Sequence, residues 1–191
     1  MKFEAAPHYI KDMLYECYTK YGKRVLPTRL YMRAMTVVVE TTGRNNLTGV
    51  EIGVYHGFNA KTILKNLPIR KMYLIDIHLT PKTRRRLAKY NDKIKFIENT
   101  SENAAAEVPN NLDFVYIDGS HEYEFVKKDI ELYYPKVKKG GVFGGHDFDA
   151  NHLDICRAVF EFTQKNKLKL YGKNADWWVI KGEKCELKNI K

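Results

Sequence analysis

Two short polar segments carry side chains that could move a proton. Asp118 and His121 lie three residues apart, and His146 directly precedes Asp147. A histidine changes charge near neutral pH, so either imidazole could accept the proton of a hydroxyl group. The alternative is that both are loop histidines held by hydrogen bonds, with no part in a reaction. Two imidazoles beside two carboxylates favour the functional interpretation.

A glycine turn between a predicted strand and a predicted helix is the second chemical feature. It contains Gly53 and Gly57. A dinucleotide-binding turn would need glycine where this chain has Tyr55 and Phe58, and Glu51 would repel a pyrophosphate. A carboxylate at a strand end suits a ligand with an ammonium group, and S-adenosylmethionine has an ammonium group and no phosphate. The alternative is a turn that only joins the strand to the helix.

Polar residues also end the next two predicted strands. Asp76 follows Gly57 by 19 residues, a distance at which a carboxylate commonly binds ribose hydroxyls. The alternative is a surface-exposed cap at the strand end. Thr100 and Ser101 follow the third strand. Ser101 would either bond the edge of an adenine or cap a helix beginning at Glu102.

The spacing of apolar residues predicts the elements that must position these side chains. Strands are expected near residues 50–52, 72–77, 93–97, 112–118 and 140–146, with a closing hairpin at 168–171 and 177–180. Helices are expected from residue 58 and over about 81–90, 102–108, 123–134 and 153–163. Ligands of an open α/β sheet bind at the carboxyl ends of its strands, where these polar residues fall.

The chain is expected to form one domain in two parts. Residues 1–47 have helical spacing and no clear strand, which predicts a helical N-terminal extension of two or three helices. This extension would cover the cofactor or contact the substrate, or it would only pack beside the sheet. Residues 48–191 would form the core, and a chain of 191 residues is long enough for it.

The composition predicts a globular cytoplasmic protein. Hydrophobic residues make up 44% of the chain, and no apolar run approaches the roughly 18 residues of a membrane span, so no membrane partner is expected. The N-terminus lacks the apolar segment of a secretory signal. The three cysteines, Cys17, Cys156 and Cys185, have no metal-ligand or redox spacing, which favours a reducing compartment.

The net charge of +10, from 33 basic and 23 acidic residues, favours an anionic partner. Nucleic acid, an acidic glycan and a phosphorylated metabolite all fit that description. The densest basic cluster is Arg84, Arg85 and Arg86 with Lys89. A solvated helix face is the preferred interpretation of this cluster.

The motifs together resemble class I S-adenosylmethionine-dependent methyltransferases. Residues 51–57 are similar to the first motif of that family, E-x-G-x-G-x-G, with Tyr55 in place of the middle glycine. Residues 118–123, D-G-S-H-E-Y, and 140–147, G-G-V-F-G-G-H-D, resemble a subgroup of small-molecule and sugar O-methyltransferases. The resemblance covers roughly residues 48–181. It implies a Rossmann-like α/β fold, with a seven-stranded sheet, an antiparallel last strand and helices on both faces.

The resemblance also implies an activity and a site. S-adenosyl-L-methionine would bind at residues already singled out and at Asp118, and the methyl acceptor would be a hydroxyl of a small molecule or glycan. His121 is the first candidate for the base and His146 the second, with Asp118 near the reacting atoms. Catechol-type relatives hold Mg²⁺ at two strand ends, which implies Asp118 and Asp147 as ligands. Those relatives have Asn after the second Asp, where this chain has Phe148. The complete set of expected cofactor-binding residues is Glu51, Gly53, Tyr55, Gly57, Asp76, Thr100, Ser101 and Asp118.

Three other functions stay open at this point. The first is methylation of RNA or another nucleic acid, which the basic charge keeps open. Residues 118–121, after the fourth strand, do not have the D-P-P-Y pattern of amino-methylating enzymes. A cofactor-binding module without catalysis is the second. An NAD-dependent oxidoreductase is the third, and Tyr55 and Phe58 disfavour it. No oligomeric state is predicted.

Overall fold

The computed structural model describes residues 32–185. Residues 1–31 of the expected N-terminal extension, and residues 186–191, lie outside the described part. Within the remainder of the extension one helix forms, α1 (Ala34–Thr41). None of the helices in residues 32–185 has both the length and the apolar character needed to cross a bilayer.

Seven strands form one sheet in the order β3-β2-β1-β4-β5-β7-β6. The first five strands run parallel, and β7 is antiparallel to both of its neighbours. The predicted Rossmann-like sheet with a closing antiparallel hairpin is therefore confirmed. The strands are β1 (Leu47–Ile52), β2 (Ile69–Asp76), β3 (Ile94–Glu98), β4 (Leu112–Ile117), β5 (Val137–Gly145), β6 (Tyr171–Lys173) and β7 (Asp176–Ile180).

Helices cover both faces of the sheet, as predicted. Alternate residues of β4 face opposite sides, so Phe114 packs in one apolar cluster and Val115 in the other. The first cluster includes residues of α1 to α3, and the second includes residues of α4 to α6. The remaining helices are α2 (Phe58–Asn66), α3 (Pro81–Leu87), α4 (Ser101–Ala104), α5 (Tyr123–Tyr133) and α6 (Leu153–Lys165).

The closing hairpin differs from the prediction. Its first strand begins at Tyr171 and not at residue 168, because Leu168 pairs in an isolated bridge with Lys184. The turn consists of Asn174 and Ala175, which have positive φ angles of 54° and 60°. Two-residue hairpin turns commonly need φ above zero at both positions. Alanine seldom adopts that conformation, so the sequence predicted a turn between the two strands but did not locate it at Asn174 and Ala175.

Two of the three clustered arginines contact the protein itself. Arg84 forms an ion pair of 2.8 Å with Glu98 and lies over the ring of Phe96. Arg86 lies 3.7 Å from the centre of the Phe58 ring and donates a hydrogen bond to the carbonyl of His56. These arginines therefore stabilise the helix against the sheet and the glycine turn, which the solvated-face interpretation did not anticipate.

Candidate active site

A cavity of about 840 Å³ opens at the carboxyl ends of β1, β2, β4 and β5. It lies where the strand order reverses, between β1 and β4, which is the usual ligand position in such sheets. Gly57 is the one predicted site residue that is not part of the cavity wall. The predicted residues in the wall are Glu51, Gly53, Tyr55, Asp76, Thr100, Ser101, Asp118, His121, His146 and Asp147.

The glycine turn is shaped by a close approach between β1 and β4. Gly53 has a φ of 82°, and a Cβ atom there would lie 1.9 Å from the carbonyl oxygen of Asp118. Gly57 has a φ of 72° and precedes α2, where it packs near Thr83 and Leu87. Tyr55, at the position of the family's middle glycine, also has a positive φ, of 46°. Its ring is 69% exposed at the cavity rim, so the substitution keeps the turn and adds an aromatic side chain.

Glu51 is a buried carboxyl group at the end of β1. Asn59 donates a hydrogen bond of 3.0 Å to Oε1, whereas Oε2 is buried and has no hydrogen-bond partner within residues 32–185. Burial raises the pKa of Glu51 to about 8, and the hydrogen bond from Asn59 opposes that shift. A buried polar atom without a partner is unfavourable, so a cationic donor in the cavity would stabilise this group.

Asp76 ends β2 and holds the glycine turn in place. Its Oδ2 accepts hydrogen bonds from the backbone N–H groups of Val54, at 2.8 Å, and Tyr55, at 2.7 Å. Its Oδ1 accepts one from the N–H of His78, at 2.9 Å. Carboxylate oxygens can each accept more than one hydrogen bond, so a ribose diol could still bind. The structure adds a role in positioning the turn to the predicted role in binding ribose.

The cavity wall beside the residues that follow β3 includes an acid, Asp129, that was not predicted from the sequence. Thr100, and not Ser101, caps the helix that follows β3, because its Oγ1 accepts the N–H of Asn103 at 3.3 Å. Ser101 begins that helix, and its side chain bonds to Asp129 of α5. Asp129 is buried in the cavity wall with one oxygen unpartnered among the described residues, and burial raises its pKa to about 6. The sequence did contain one sign of this burial, because Asp129 falls on the apolar face of the helix predicted over residues 123–134.

His146 is held by groups from three other elements. Its Nδ1 lies 2.8 Å from Oδ1 of Asp176, which also accepts the hydroxyl of Tyr116 at 2.9 Å. The Nη1 atom of Arg33 contacts Nε2 of the same ring. If Nδ1–H donates to Asp176, Nε2 accepts from Arg33. Both nitrogens are then engaged, so this geometry suits His146 to positioning better than to proton abstraction.

Arg33 is the second functional residue that the sequence analysis missed. It precedes α1, within the segment that was expected to lid or pack beside the core. Burial opposes its charge, but Tyr116, Asp118 and Asp176 outweigh that effect and raise the pKa of the guanidinium. The sequence indicated only a single arginine in an apolar stretch. Its position places a permanent positive charge among the carboxyl groups of the cavity.

His121 and Asp147 form a pair at the mouth of the cavity. His121 Nε2 lies 3.0 Å from Asp147 Oδ2, and the imidazole is half exposed. Asp147 has a φ of 58°, an uncommon conformation for a residue other than glycine. A carboxylate that fixes one ring nitrogen leaves the other available as a base. The structure thus brings together the imidazole of His121 and the carboxylate of Asp147, both of which the sequence singled out.

Asp118 is less exposed than His121, and it acts electrostatically on Glu51 and Arg33. Burial raises the pKa of Asp118, while Arg33 and His146 act in the opposite direction. Its carboxyl group is one of the two predicted Mg²⁺ ligands. The donors around the other, Asp147, are the imidazoles of His121 and His146, at 3.0 and 3.5 Å. Mg²⁺ prefers oxygen ligands, so this nitrogen-rich surrounding fits it poorly.

A comparison with protein families assigns the chain to a known class. A family model described as a methyltransferase domain matches residues 50–148, just over half of the chain. The chain belongs to this methyltransferase family. The resemblance to class I methyltransferases, stated from the motifs, is therefore confirmed.

A curated relative of this methyltransferase is the uncharacterized protein R132 of Acanthamoeba polyphaga mimivirus. The two are 28% identical over 131 residues, which is 62% of this chain and 59% of the relative. The matched region thus covers about three fifths of the relative's length.

Solved structures of other methyltransferases share the fold. A candidate caffeoyl-CoA O-methyltransferase from Staphylococcus aureus is 17% identical, with a TM-score of 0.66 over 90% of this chain and 92% of its own. CalS11, a TDP-rhamnose 3'-O-methyltransferase of calicheamicin biosynthesis, is 16% identical, with a TM-score of 0.63 over 96% and 97%. MycE, solved with Mg and SAH, is 17% identical, with a TM-score of 0.59 over 93% of this chain and 56% of its own.

Proposed function

We propose that this methyltransferase transfers a methyl group from S-adenosylmethionine to a hydroxyl group of a small molecule or sugar. The observation that carries the proposal is one cavity with two different ends. The unpartnered carboxyl oxygen of Glu51 lies at one position in its wall, and the His121–Asp147 pair lies at another. The first suits a ligand ammonium, and the second suits removal of a hydroxyl proton.

The cavity offers a complementary group for each part of the cofactor. Glu51 would accept the ammonium group, and Asp76 would accept the ribose hydroxyls beside the backbone groups that it already binds. Ser101 and Asp129 supply polar atoms where the adenine edge would lie. The exposed apolar side chains of Ile77 and Phe125, in the same wall, could cover the faces of the ring. Among the described residues, Tyr55 is the third large apolar side chain that is exposed and lines the cavity.

The residues of the acceptor end support a base mechanism. When bound, the cofactor would supply an electrophilic methyl group, whose carbon bonds to the acceptor oxygen as its bond to the sulfonium sulfur breaks and S-adenosylhomocysteine leaves. Asp147 fixes the His121 ring through Nε2–H, so that Nδ1 accepts the proton of the acceptor hydroxyl. Arg33 keeps His146 in place, and the guanidinium favours an acceptor oxygen that is gaining negative charge. No Mg²⁺ step is needed.

The acceptor class agrees with two structural neighbours, a candidate caffeoyl-CoA O-methyltransferase and a TDP-rhamnose 3'-O-methyltransferase. The test is transfer of a labelled methyl group to panels of sugar nucleotides, phenols and RNA. Label in a small hydroxyl compound, insensitive to a chelator, supports the proposal. Label in RNA alone would replace the acceptor class, and restoration of activity by Mg²⁺ after chelation would replace the base mechanism.

A further inference from the structure

We propose that His121, Asp147 and His152 form a binding site for a divalent transition-metal ion of the zinc type. In residues 32–185 these three side chains bring one ligand atom each within 4.8 Å of one another. They come from two segments, the loop after β4, which carries His121, and the connection from β5 to α6, which carries Asp147 and His152. His152 was not singled out in the sequence, and the expected ligand pair, Asp118 and Asp147, included no histidine.

The distances fit a coordination sphere. His121 Nε2 and Asp147 Oδ2 are 3.0 Å apart. Two ligands at bond lengths of about 2.1 Å lie about 3.4 Å apart in a tetrahedral site, so these two atoms need to separate by only about 0.4 Å to admit an ion. The rings of His121 and His152 meet edge to face, with centroids 4.7 Å apart, so neither ring covers the other. An ion could therefore lie between the two rings and the carboxylate.

A fourth residue fixes the orientation of His152. Its Nδ1 lies 3.0 Å from Oδ1 of Asp149, which leaves Nε2 with the lone pair. Asp149 Oδ1 is itself held by the N–H of Asn151, at 2.8 Å. A carboxylate behind a histidine ligand is the usual support of a protein metal site. This support distinguishes His152 from a histidine that only caps the helix.

The donor set selects the class of ion. Two imidazoles and one carboxylate suit zinc, cobalt, nickel or iron, whereas magnesium prefers oxygen ligands. Three protein ligands also leave at least one open position for water or another oxygen. The proposed site thus shares Asp147 with the expected Mg²⁺ site but differs from it in the ion and in the other ligands.

Occupation of this site has a consequence for catalysis that rests on the proposed function. A neutral imidazole that binds an ion through Nε2 carries its proton on Nδ1. His121 in that state cannot accept the proton of a hydroxyl. A zinc-type ion should therefore inhibit methyl transfer over the same concentrations at which it binds.

Metal binding is tested directly on the full chain without cofactor or acceptor. The protein is freed of metal by a chelator and titrated with Zn²⁺ by calorimetry and with Co²⁺ by visible absorption. We expect His152→Ala to weaken Zn²⁺ binding at least tenfold and to abolish the intense Co²⁺ bands. Asp149→Asn, which leaves all three ligands in place, should weaken binding by a smaller factor.

The matched control is His78→Ala, because His78 is another exposed histidine beside a carboxylate, 3.7 Å from Glu98, and lies outside the cluster. It should bind Zn²⁺ like the unaltered chain, and circular dichroism should show that each variant is folded. Equal Zn²⁺ affinity in the unaltered, His152→Ala and Asp149→Asn proteins would overturn the proposal. So would Mg²⁺ binding as tightly as Zn²⁺. Because no methyl transfer is measured, failure here leaves the proposed function untouched.

Discussion

At the scale of single residues, the charge state of Glu51 decides how strongly the cavity attracts a ligand with an ammonium group. Burial raises its pKa to about 8, so the empty cavity favours the protonated acid at neutral pH. The charged groups that also act on it are Arg33, Asp118 and Asp76. Because the folded pKa lies above the ordinary value of 4.5, this group stabilises the fold fully at low pH. That contribution is lost as the pH rises through about 8.

Cofactor affinity should have the opposite dependence on pH. An ammonium group prefers ionised Glu51, so the affinity for S-adenosylhomocysteine should rise from pH 6 towards about 8, where the folded carboxyl group ionises. Calorimetry at several pH values measures this. Glu51→Gln should bind more weakly and with a flatter profile, which separates Glu51 from Asp118. An equally steep profile in the variant would assign the titration to another group.

The second prediction at this scale concerns the proposed base. His121→Ala should lower turnover by about a hundredfold or more, because the acceptor hydroxyl loses its proton acceptor. Affinity for S-adenosylhomocysteine should not change, and added imidazole should restore part of the rate. His78→Ala is the control, since that exposed histidine lies outside the cavity wall. Full activity in His121→Ala would exclude this residue as the base.

At the scale of elements, the strand ends position the site through contacts between backbone segments. A Cβ at Gly53 would overlap the Asp118 carbonyl, whereas one at Gly43 would meet nothing within 4 Å, although both residues have positive φ. Gly53→Ala should therefore lose cofactor affinity and several kcal/mol of stability, and Gly43→Ala only about 1–2 kcal/mol. Urea denaturation and calorimetry measure the two effects. Equal effects would show that the β1–β4 contact relaxes easily.

Asp76 supplies a prediction that the sequence alone would have made differently. A surface-exposed cap at a strand end would tolerate alanine, but three backbone N–H groups donate hydrogen bonds to this carboxylate. Asp76→Ala should lower the free energy of unfolding by about 1–3 kcal/mol as well as weakening cofactor binding about tenfold. Both are measured on the same preparation. Weaker binding with unchanged stability would leave ribose recognition as its only role.

The elements also show what local sequence patterns could predict. Strands β1 and β4 are buried along their whole length, and their β-branched and aromatic residues made them evident, although Glu51 and Asp113 interrupt the apolar runs. Their polar ends identified Glu51 and Asp118. Arg33 could not be found this way, because it contacts His146 across 113 positions of the chain. The apolar face of α5 indicates that Asp129 is buried, but its place in the cavity depends on where α5 meets the start of α4, which no local pattern specifies.

At the scale of the whole molecule, the sheet order explains why distant residues meet. Reversal between β1 and β4 places the ends of β1, β4 and β5 around one cavity, so Glu51 and Asp147 face the same space although 96 positions separate them. The net charge of +10 had favoured an anionic partner. Two of these positive charges contact the protein itself instead. Arg33 contacts His146 in the cavity, and Arg86 lies over the ring of Phe58.

The most direct measurement is calorimetric titration of the full chain with S-adenosylhomocysteine and, separately, with NAD. The account predicts micromolar or tighter binding of S-adenosylhomocysteine, weakened by Glu51→Gln, and no measurable binding of NAD. The unpartnered carboxyl oxygen of Glu51 attracts the first ligand, and Tyr55 and Phe58 occupy positions where a pyrophosphate needs glycine. Micromolar binding of NAD, with none of S-adenosylhomocysteine, would contradict the account.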